Sequence, residues 1–304
     1  MSSVDSPIVI LGCRRSGTTL LAAILKSHPQ LLVHPHEVQF FLELYKKFGL
    51  EVRDRSAAID LVCRHPYRAE SVTPEALEKL SAGKGTLSLQ DFSQLYLRAW
   101  AGESPAQLVI KHPKLILHPE QVALLFPNAR LIHMVRDPRA NVASQRARWP
   151  EAALRECIEW WRRSLHNGRT RARNEPETCL EIRYEDLVLS PRETLTEVCS
   201  FAGLDFNEAM LEFSLETKSY QAGERPERRL YTRIDPSRLS RWRQALPAVD
   251  IRLIEEACVE EMGWWGYVRD QPEVNRFALL WRDLTDRSYS RFRQAGRAVR
   301  DALR

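Results

Sequence analysis

The chain has 304 residues, with 45 Lys and Arg against 40 Asp and Glu, and a formal net charge of +5. Apolar residues make up 44% of it and charged residues 28%, a globular composition that excludes a disordered or fibrous protein. Six cysteines are scattered without a CxxC pair, which argues against a zinc site or a dithiol redox motif. No apolar run approaches the ~20 residues of a membrane span. Residues 1–7 lack the basic and apolar regions of a signal peptide, so we expect a cytoplasmic protein.

Short apolar runs alternate with helical patterns along the chain. The runs at residues 7–12, 107–111, 130–135 and 179–182 predict buried strands. Helices are predicted to begin at Pro138 and Pro191, each preceded by a capping residue, Asp137 or Ser190. This alternation predicts an α/β fold with a mostly parallel central sheet flanked by helices. Ligands bind such sheets where the carboxyl ends of strands meet helix N-termini.

Two segments stand apart from this pattern. Residues 42–105 are interpreted as a helical insertion in a single domain of residues 1–270, and we expect the insertion to cover a ligand pocket. Residues 271–304 form a basic tail whose apolar residues recur at helical spacing: Trp281, Leu284, Phe292, Ala295, Val299 and Leu303. We expect these apolar residues to pack on the domain or on another subunit. The alternative is contact with an anionic membrane surface.

Residues 12–19, GCRRSGTT, follow the first predicted strand and precede a helix. This is the layout of a P-loop-like phosphate cradle, in which backbone N–H groups and the positive helix end face an anion. Compared with the nucleotide-binding pattern GxxxxGK[ST], Thr19 fits, but Thr18 replaces the lysine. Arg15 is the cation that can take its place. A plain glycine turn is the alternative interpretation of this loop alone.

Residues 131–144, LIHMVRDPRANVAS, form a second candidate anion site. Arg136 comes at the end of a predicted strand, and Ser144 lies eight residues later on the following helix. Alone, this segment is equally consistent with a helix cap at Asp137 and a surface arginine. Together, two anion sites at the ends of two parallel strands suit a nucleotide with phosphates on both sides of its ribose.

In these two motifs the chain resembles the sulfotransferases that use 3′-phosphoadenosine-5′-phosphosulfate (PAPS). Residues 15–21 resemble the 5′-phosphate motif of that family, and residues 136–144 resemble its 3′-phosphate motif. The likeness continues at residues 27–29, 109–113, 183–191 and 239–242, and is greatest to the bacterial branch that shares its motifs with tyrosylprotein sulfotransferases. It implies in-line, metal-independent transfer of a sulfuryl group from PAPS to an acceptor hydroxyl.

The resemblance also implies roles for particular residues. Lys111 would lie at the bridging oxygen of PAPS and act, with Arg15, on the leaving group. The implied PAPS contacts are Arg15, Ser16, Gly17, Thr18, Thr19, Arg136, Ser144, Tyr184 and Arg241. Residues 225–233 are a further candidate for contact with the 3′-phosphate, without an assigned register. The absent P-loop lysine suits this donor, because a sulfonate carries one negative charge where a terminal phosphate carries about two.

A general base is needed to take the acceptor proton. Residues 34–41, HPHEVQFF, occupy the region where relatives carry a catalytic Glu before an aromatic pair, and we assign this role to Glu37. His36 is the alternative base, since an ordinary histidine pKa near 6.5 suits the task. A polar loop without a catalytic role is the simplest alternative for this segment.

Several questions stay open at the level of sequence. The alternative functions are a small-molecule kinase with a modified P-loop and a non-catalytic nucleotide-binding module. The acceptor class is undetermined among carbohydrate, lipid, metabolite and peptide tyrosine. The charge distribution gives no indication of nucleic-acid binding.

Overall fold

A computed structural model of the chain describes residues 4–213, 215–219, 227–231 and 234–302. The strands are β1 Ile8–Gly12, β2 Leu31–Glu37, β3 Glu51–Val52, β4 Leu87–Ser88, β5 Gln107–Lys111, β6 Arg130–Val135, β7 Cys179–Arg183, β8 Leu215–Ser219 and β9 Glu227–Tyr231. The helices before residue 150 are α1 Thr18–Leu25, α2 Phe40–Phe48, α3 Arg55–Arg64, α4 Pro74–Ser81, α5 Leu89–Ala101, α6 Pro119–Leu125 and α7 Pro138–Arg148. The later helices are α8 Leu154–Asn174, α9 Tyr184–Leu189, α10 Pro191–Ala202, α11 Trp242–Ala245, α12 Ala248–Ala257, α13 Val259–Trp264 and α14 Arg276–Ala302.

A five-stranded parallel sheet forms the centre of the molecule, in the order β2-β5-β1-β6-β7. Every residue of β1 is buried, because helices cover both faces of the sheet. Val9 and Leu11 belong to the apolar cluster on one face, while Ile8 and Ile10 belong to the cluster on the other. The predicted α/β fold is confirmed, and each of the four predicted strands is present to within one residue at either end.

The edge strand β2 was not among the predicted strands. Pro35 lies within it, and a proline cannot donate to the ladder, so its presence argues against a strand in the interior of a sheet. At an edge the missing N–H is tolerated, and the pairing with β5 is irregular between Val33 and Glu37. The structure therefore shows a strand where a polar loop was the simplest alternative at the level of sequence.

One of the two predicted helix caps forms. The Asp137 side chain accepts a hydrogen bond from the backbone N–H of Arg139 at the start of α7. Ser190 precedes α10 but makes no side-chain cap bond, so its predicted capping role was wrong. Its backbone φ of −132° and ψ of 60° differ from the extended conformation usual at a cap.

Helices α2 to α5, with the short β3-β4 hairpin, make up most of residues 42–105. They pack on β2 through an aromatic cluster centred on Tyr96, whose ring lies 4.6 Å from that of Phe40. The Tyr96 hydroxyl accepts a hydrogen bond from the N–H of Ala69 (3.0 Å) and pairs with Nε2 of His34 on β2 (2.8 Å). These contacts attach the inserted helices to the strand that carries Glu37.

The C-terminal helix α14 packs on α8 and α12. Trp281 and Leu284 are more than half exposed, so these two residues do not pack on the domain, while the other alternative, packing on another subunit, stays a prediction. The side chains of Phe292, Val299 and Leu303 lie outside the described residues. Within the part of the chain that the structure describes, no helix has the length and apolarity to cross a membrane.

Candidate functional site

The loop between β1 and α1 requires glycine at two positions. Gly17 has a φ of +95°, and a Cβ there would lie 2.4 Å from Cδ2 of Tyr184. Gly12 has a φ of +147°, and a Cβ there would lie 2.6 Å from the carbonyl oxygen of Met134. Arg15 also adopts a left-handed φ, +70°, which costs energy for a residue with a side chain. The loop is therefore held in one specific shape by its neighbours.

Helix α1 begins at Thr18, directly after this loop. The first four N–H groups of a helix lack intrahelical partners and carry the positive end of its dipole, so they form an anion cradle. Thr18, at the position of the P-loop lysine, is only 4% exposed, while Thr19 beside it is half-buried. Where the nucleotide-binding P-loop has a lysine ammonium group, this chain therefore has a small buried hydroxyl.

Helix α7, which follows β6, holds the loop through side-chain hydrogen bonds. The Asn141 amide donates to the Ser16 hydroxyl and to the carbonyl of Arg14, both at 3.0 Å. Gln145, one turn later, accepts from Nε of Arg14 at 2.8 Å. Sequence reasoning missed these two amides. Their signal was a pair of polar residues at i and i+4 on the buried face of a predicted helix.

The two anion motifs meet at the carboxyl ends of the neighbouring strands β1 and β6. Arg136 donates from its guanidinium to the carbonyl oxygen of Arg15 at 2.9 Å. Arg15 in turn donates from Nε to the Ser144 hydroxyl at 3.1 Å. Residues separated by more than 120 positions in the sequence thus form one continuous polar surface. This geometry agrees with the prediction that both motifs lie at the carboxyl ends of parallel strands.

Arg136 is stacked on Tyr184 at the start of α9. Its guanidinium carbon lies 4.3 Å from the ring centroid, and the same ring packs against Gly17. The Arg136 carbonyl accepts from the indole N–H of Trp161, which fixes the backbone. Nε of Arg136 is buried and has no hydrogen-bond partner among the described residues. A buried donor without a partner is costly, and an anion would satisfy it.

Lys111 and Glu37 face each other across β5 and β2. Beyond the irregular pairing near Pro35, the register places Glu37 opposite Lys111. The Lys111 ammonium lies 3.3 Å from Oε1 of Glu37 and donates to the Thr19 hydroxyl at 2.9 Å. The Gln39 amide donates to the other carboxylate oxygen of Glu37 at 3.0 Å. A chain of contacts therefore runs from the edge strand to the anion cradle.

These contacts set the protonation state of Glu37. Burial acts to raise the pKa of its carboxyl, but the Lys111 charge and the Gln39 hydrogen bond outweigh burial and hold it below its ordinary value. Glu37 is consequently a carboxylate at neutral pH. Burial also lowers the pKa of the neighbouring His36, whose ring lies 6.2 Å from that of Tyr67. Of these two candidate bases, Glu37 is the one bonded to Lys111.

Arg241 lies apart from this set of contacts. Its guanidinium donates to Asp235 at 3.2 Å and to the Ser237 hydroxyl at 3.0 Å, both within its own loop. The structure therefore does not link Arg241 to the cradle through these bonds. The candidate contact from residues 225–233 lies outside the described side chains.

Comparison with known proteins agrees with this architecture. Residues 7–208 match the sulfotransferase family, and the chain belongs to that family. It is 27% identical to protein-tyrosine sulfotransferase 1 of Danio rerio over 68% of this chain and 56% of the relative. It is 28% identical to the Drosophila melanogaster protein-tyrosine sulfotransferase over 68% of this chain and 40% of the relative. The chain thus spans about half the length of these relatives.

A similar solved structure is the sulfotransferase domain from the Synechococcus PCC 7002 olefin synthase. It aligns with a TM-score of 0.62 and 27% identity, covering 86% of this chain and 95% of that domain. The match to a domain of this size agrees with the P-loop-like parallel sheet described above.

Proposed function

We propose that the chain is a sulfotransferase that moves a sulfuryl group from PAPS to an acceptor hydroxyl. The observation that supports this most is the hydrogen-bonded chain from Arg136 through Arg15 to Ser144. It joins two anion sites at adjacent strand ends, as a nucleotide with both a 5′- and a 3′-phosphate requires.

The residues of the site fit this donor. Arg136, with its buried unpaired Nε, and Ser144 would hold the 3′-phosphate, and the backbone N–H groups of residues 16–19 would hold the 5′-phosphate. Arg15 lies between the two and adds a permanent charge. The ring of Tyr184 stacks against the Arg136 guanidinium, so its proposed role is to hold that group in place for the 3′-phosphate.

In the proposed reaction the acceptor oxygen bonds to sulfur as the bond from sulfur to the 5′-phosphate oxygen breaks in line. The acceptor proton passes to the Glu37 carboxylate, and the electron pair of the broken bond remains on the departing phosphate. Donors that are already oriented stabilise such developing charge without reorganisation. Lys111 contacts both Glu37 and Thr19, so it keeps the base ionised and adds positive charge beside the cradle.

The acceptor is proposed only as a hydroxyl-bearing molecule. The relatives from Danio and Drosophila are named as protein-tyrosine sulfotransferases, which makes a peptide tyrosine one candidate. A kinase reaction is disfavoured by the small buried hydroxyl of Thr18, where a kinase of the P-loop type needs an ammonium group.

The test is transfer of label from sulfur-labelled PAPS into a cell extract by the purified protein, followed by mass identification of the labelled product. We expect transfer that persists in chelator and is lost in Glu37→Gln, while that variant still binds adenosine 3′,5′-bisphosphate. Transfer unaffected by Glu37→Gln would refute the assigned base. Magnesium-dependent transfer from ATP in place of PAPS would refute the sulfotransferase assignment itself.

A further inference from the structure

Helix α14 is attached to the domain by its charged face. The Asp286 carboxylate accepts from the backbone N–H groups of Leu154 (2.8 Å) and Arg155 (2.7 Å), at the start of α8. Arg282 donates to the buried Asp250 on α12 at 2.7 Å. An aspartate at a helix N-terminus and a buried ion pair hold α14 in a defined rotation about its axis.

The opposite side of α14 is apolar and faces outward. Phe277, Leu280, Trp281 and Leu284 are 73%, 65%, 63% and 57% exposed. Their spacing of i, i+3, i+4 and i+7 puts them on one side of the helix, and the rings of Phe277 and Trp281 stack at 6.4 Å. We call these four residues the apolar stripe. With about 100° per residue, the stripe lies roughly opposite the Asp286 position.

The surface around the apolar stripe is basic. Helix α14 contains seven arginines and three aspartates, and exposed Arg276, Arg287 and Arg291 fall along one side of the stripe. Asp283 is paired with Arg155 (2.8 Å) and with Arg287 (2.7 Å), so its charge is compensated within the protein. What α14 presents outward is a row of large apolar side chains with positive charge beside it.

We propose that the apolar stripe of α14 lies on an anionic lipid bilayer, parallel to its surface. A helix with aromatic and leucine side chains on one face and arginines beside them gains both apolar burial and attraction to acidic headgroups. Packing of a second copy against the stripe is less favourable on two counts. Four side chains offer at most a few hundred Å², against about 800 Å² per partner in a stable dimer. An antiparallel pair of copies would also bring the arginine rows of like charge together.

Sedimentation of the full chain with lipid vesicles tests this. We expect binding to vesicles of phosphatidylcholine mixed with phosphatidylglycerol, and little binding to phosphatidylcholine alone. The double variant Trp281→Gln with Leu284→Gln should lower partitioning about tenfold or more, because it removes apolar area that would leave water. Arg276→Gln with Arg291→Gln should lower it about 30-fold, because the attraction of two arginines to the anionic surface is removed.

A matched control substitutes two equally exposed leucines elsewhere, Leu50→Gln with Leu189→Gln, which are 59% and 64% exposed. This variant should bind vesicles like the unmodified chain, and circular dichroism should show all variants folded. Equal binding to neutral and anionic vesicles, or equal loss in the control, would overturn the proposal. So would a dimer in solution that the Trp281 and Leu284 variant converts to monomer. None of these measurements uses PAPS, so their outcome is separate from that of the transfer assay.

Discussion

Nε of Arg136 is buried without a hydrogen-bond partner among the described residues, and its guanidinium stacks on the ring of Tyr184. A guanidinium is a planar fork of donors that matches a phosphate, and the contact with the ring limits the positions that this fork can take. The proposed target is the 3′-phosphate, the group that distinguishes PAPS and its product from ordinary adenine nucleotides.

The first prediction concerns this selectivity. Arg136→Ala should weaken binding of adenosine 3′,5′-bisphosphate by about 10- to 100-fold, the value of a hydrogen bond to a charged group. Binding of AMP, which lacks the 3′-phosphate, should change by only a few-fold. Isothermal calorimetry with both ligands measures the difference. Equal loss for the two nucleotides would show that Arg136 does not read the 3′-phosphate.

The second prediction concerns the ionisation of Glu37. Lys111→Met removes the positive charge that lowers the carboxyl pKa, while the burial that raises it remains, so the pKa of Glu37 should move upward. Carbon-13 NMR of labelled glutamate carboxyls, assigned with Glu37→Gln, measures the titration. Lys47→Met, an exposed change on α2, is the control and should leave the titration in place.

The sign of the linked stability follows from the same contacts. A carboxyl whose folded pKa lies below its unfolded value stabilises the protein above the unfolded pKa, and this contribution is lost as the pH falls through the folded pKa. The Lys111–Glu37 pair should therefore contribute at neutral pH and lose its contribution in acid. An unchanged Glu37 titration in Lys111→Met would contradict the short contact between the two side chains.

At the scale of elements, the long helix α8 carries a glycine where it passes over the side chain of His133 on strand β6. A Cβ on Gly168 would lie 2.0 Å from Nδ1 of His133, which is fully buried and bonded to Glu181 at 3.0 Å. Strand β6 leads directly into Arg136, so the packing of His133 against Gly168 bears on the position of the proposed 3′-phosphate site.

The third prediction follows from this crossing. Gly168→Ala should lower the free energy of unfolding by about 1–3 kcal/mol through overpacking, although alanine favours a helix. Gly263→Ala is the matched control, since that helical glycine has no other group within 4 Å of the added Cβ. It should be neutral or stabilise the protein by up to about 1 kcal/mol. Urea unfolding measures both, and a neutral Gly168→Ala would contradict the close crossing.

At the scale of the whole molecule, Arg139 ties the proposed 3′-phosphate motif to the C-terminal part of the chain. It is buried and bonded to Asp137 (2.7 Å) and to Glu255 on α12 (2.6 Å), with Trp242 stacked on its guanidinium. Glu255 also accepts from the backbone N–H groups of residues 270 and 271. The segment leading to α14 is thereby connected to the start of α7.

The fourth prediction tests this connection. Arg139→Met leaves the buried Glu255 carboxylate without its cationic partner and should cost about 3–5 kcal/mol of unfolding free energy. Arg243→Met is the control, because Arg243 also stacks on Trp242 and pairs with Asp270 but is half exposed. That exposed pair should contribute about 1 kcal/mol or less. Equal losses in chemical denaturation would mean that the buried network contributes no more to stability than the exposed pair does.

The fold class follows largely from local sequence patterns, and the reason is physical. A strand buried on both faces must be a short apolar run, and a phosphate loop must carry glycine where the backbone turns, so both are legible without tertiary information. The strands ending at Gly12, Lys111 and Val135 were predicted in this way, together with the anion motifs that follow two of them.

The sequence by itself determined the fold class and located the two candidate anion motifs, because their signals lie within a few consecutive residues. Only the tertiary structure decided that Pro35 is accommodated in an edge strand whose irregular pairing puts Glu37 beside Lys111. It also decided that α14 turns its charged face inward, since the partners of Asp286 and Arg282 come from distant helices. Both outcomes depend on contacts between segments far apart in the chain, which no local periodicity encodes.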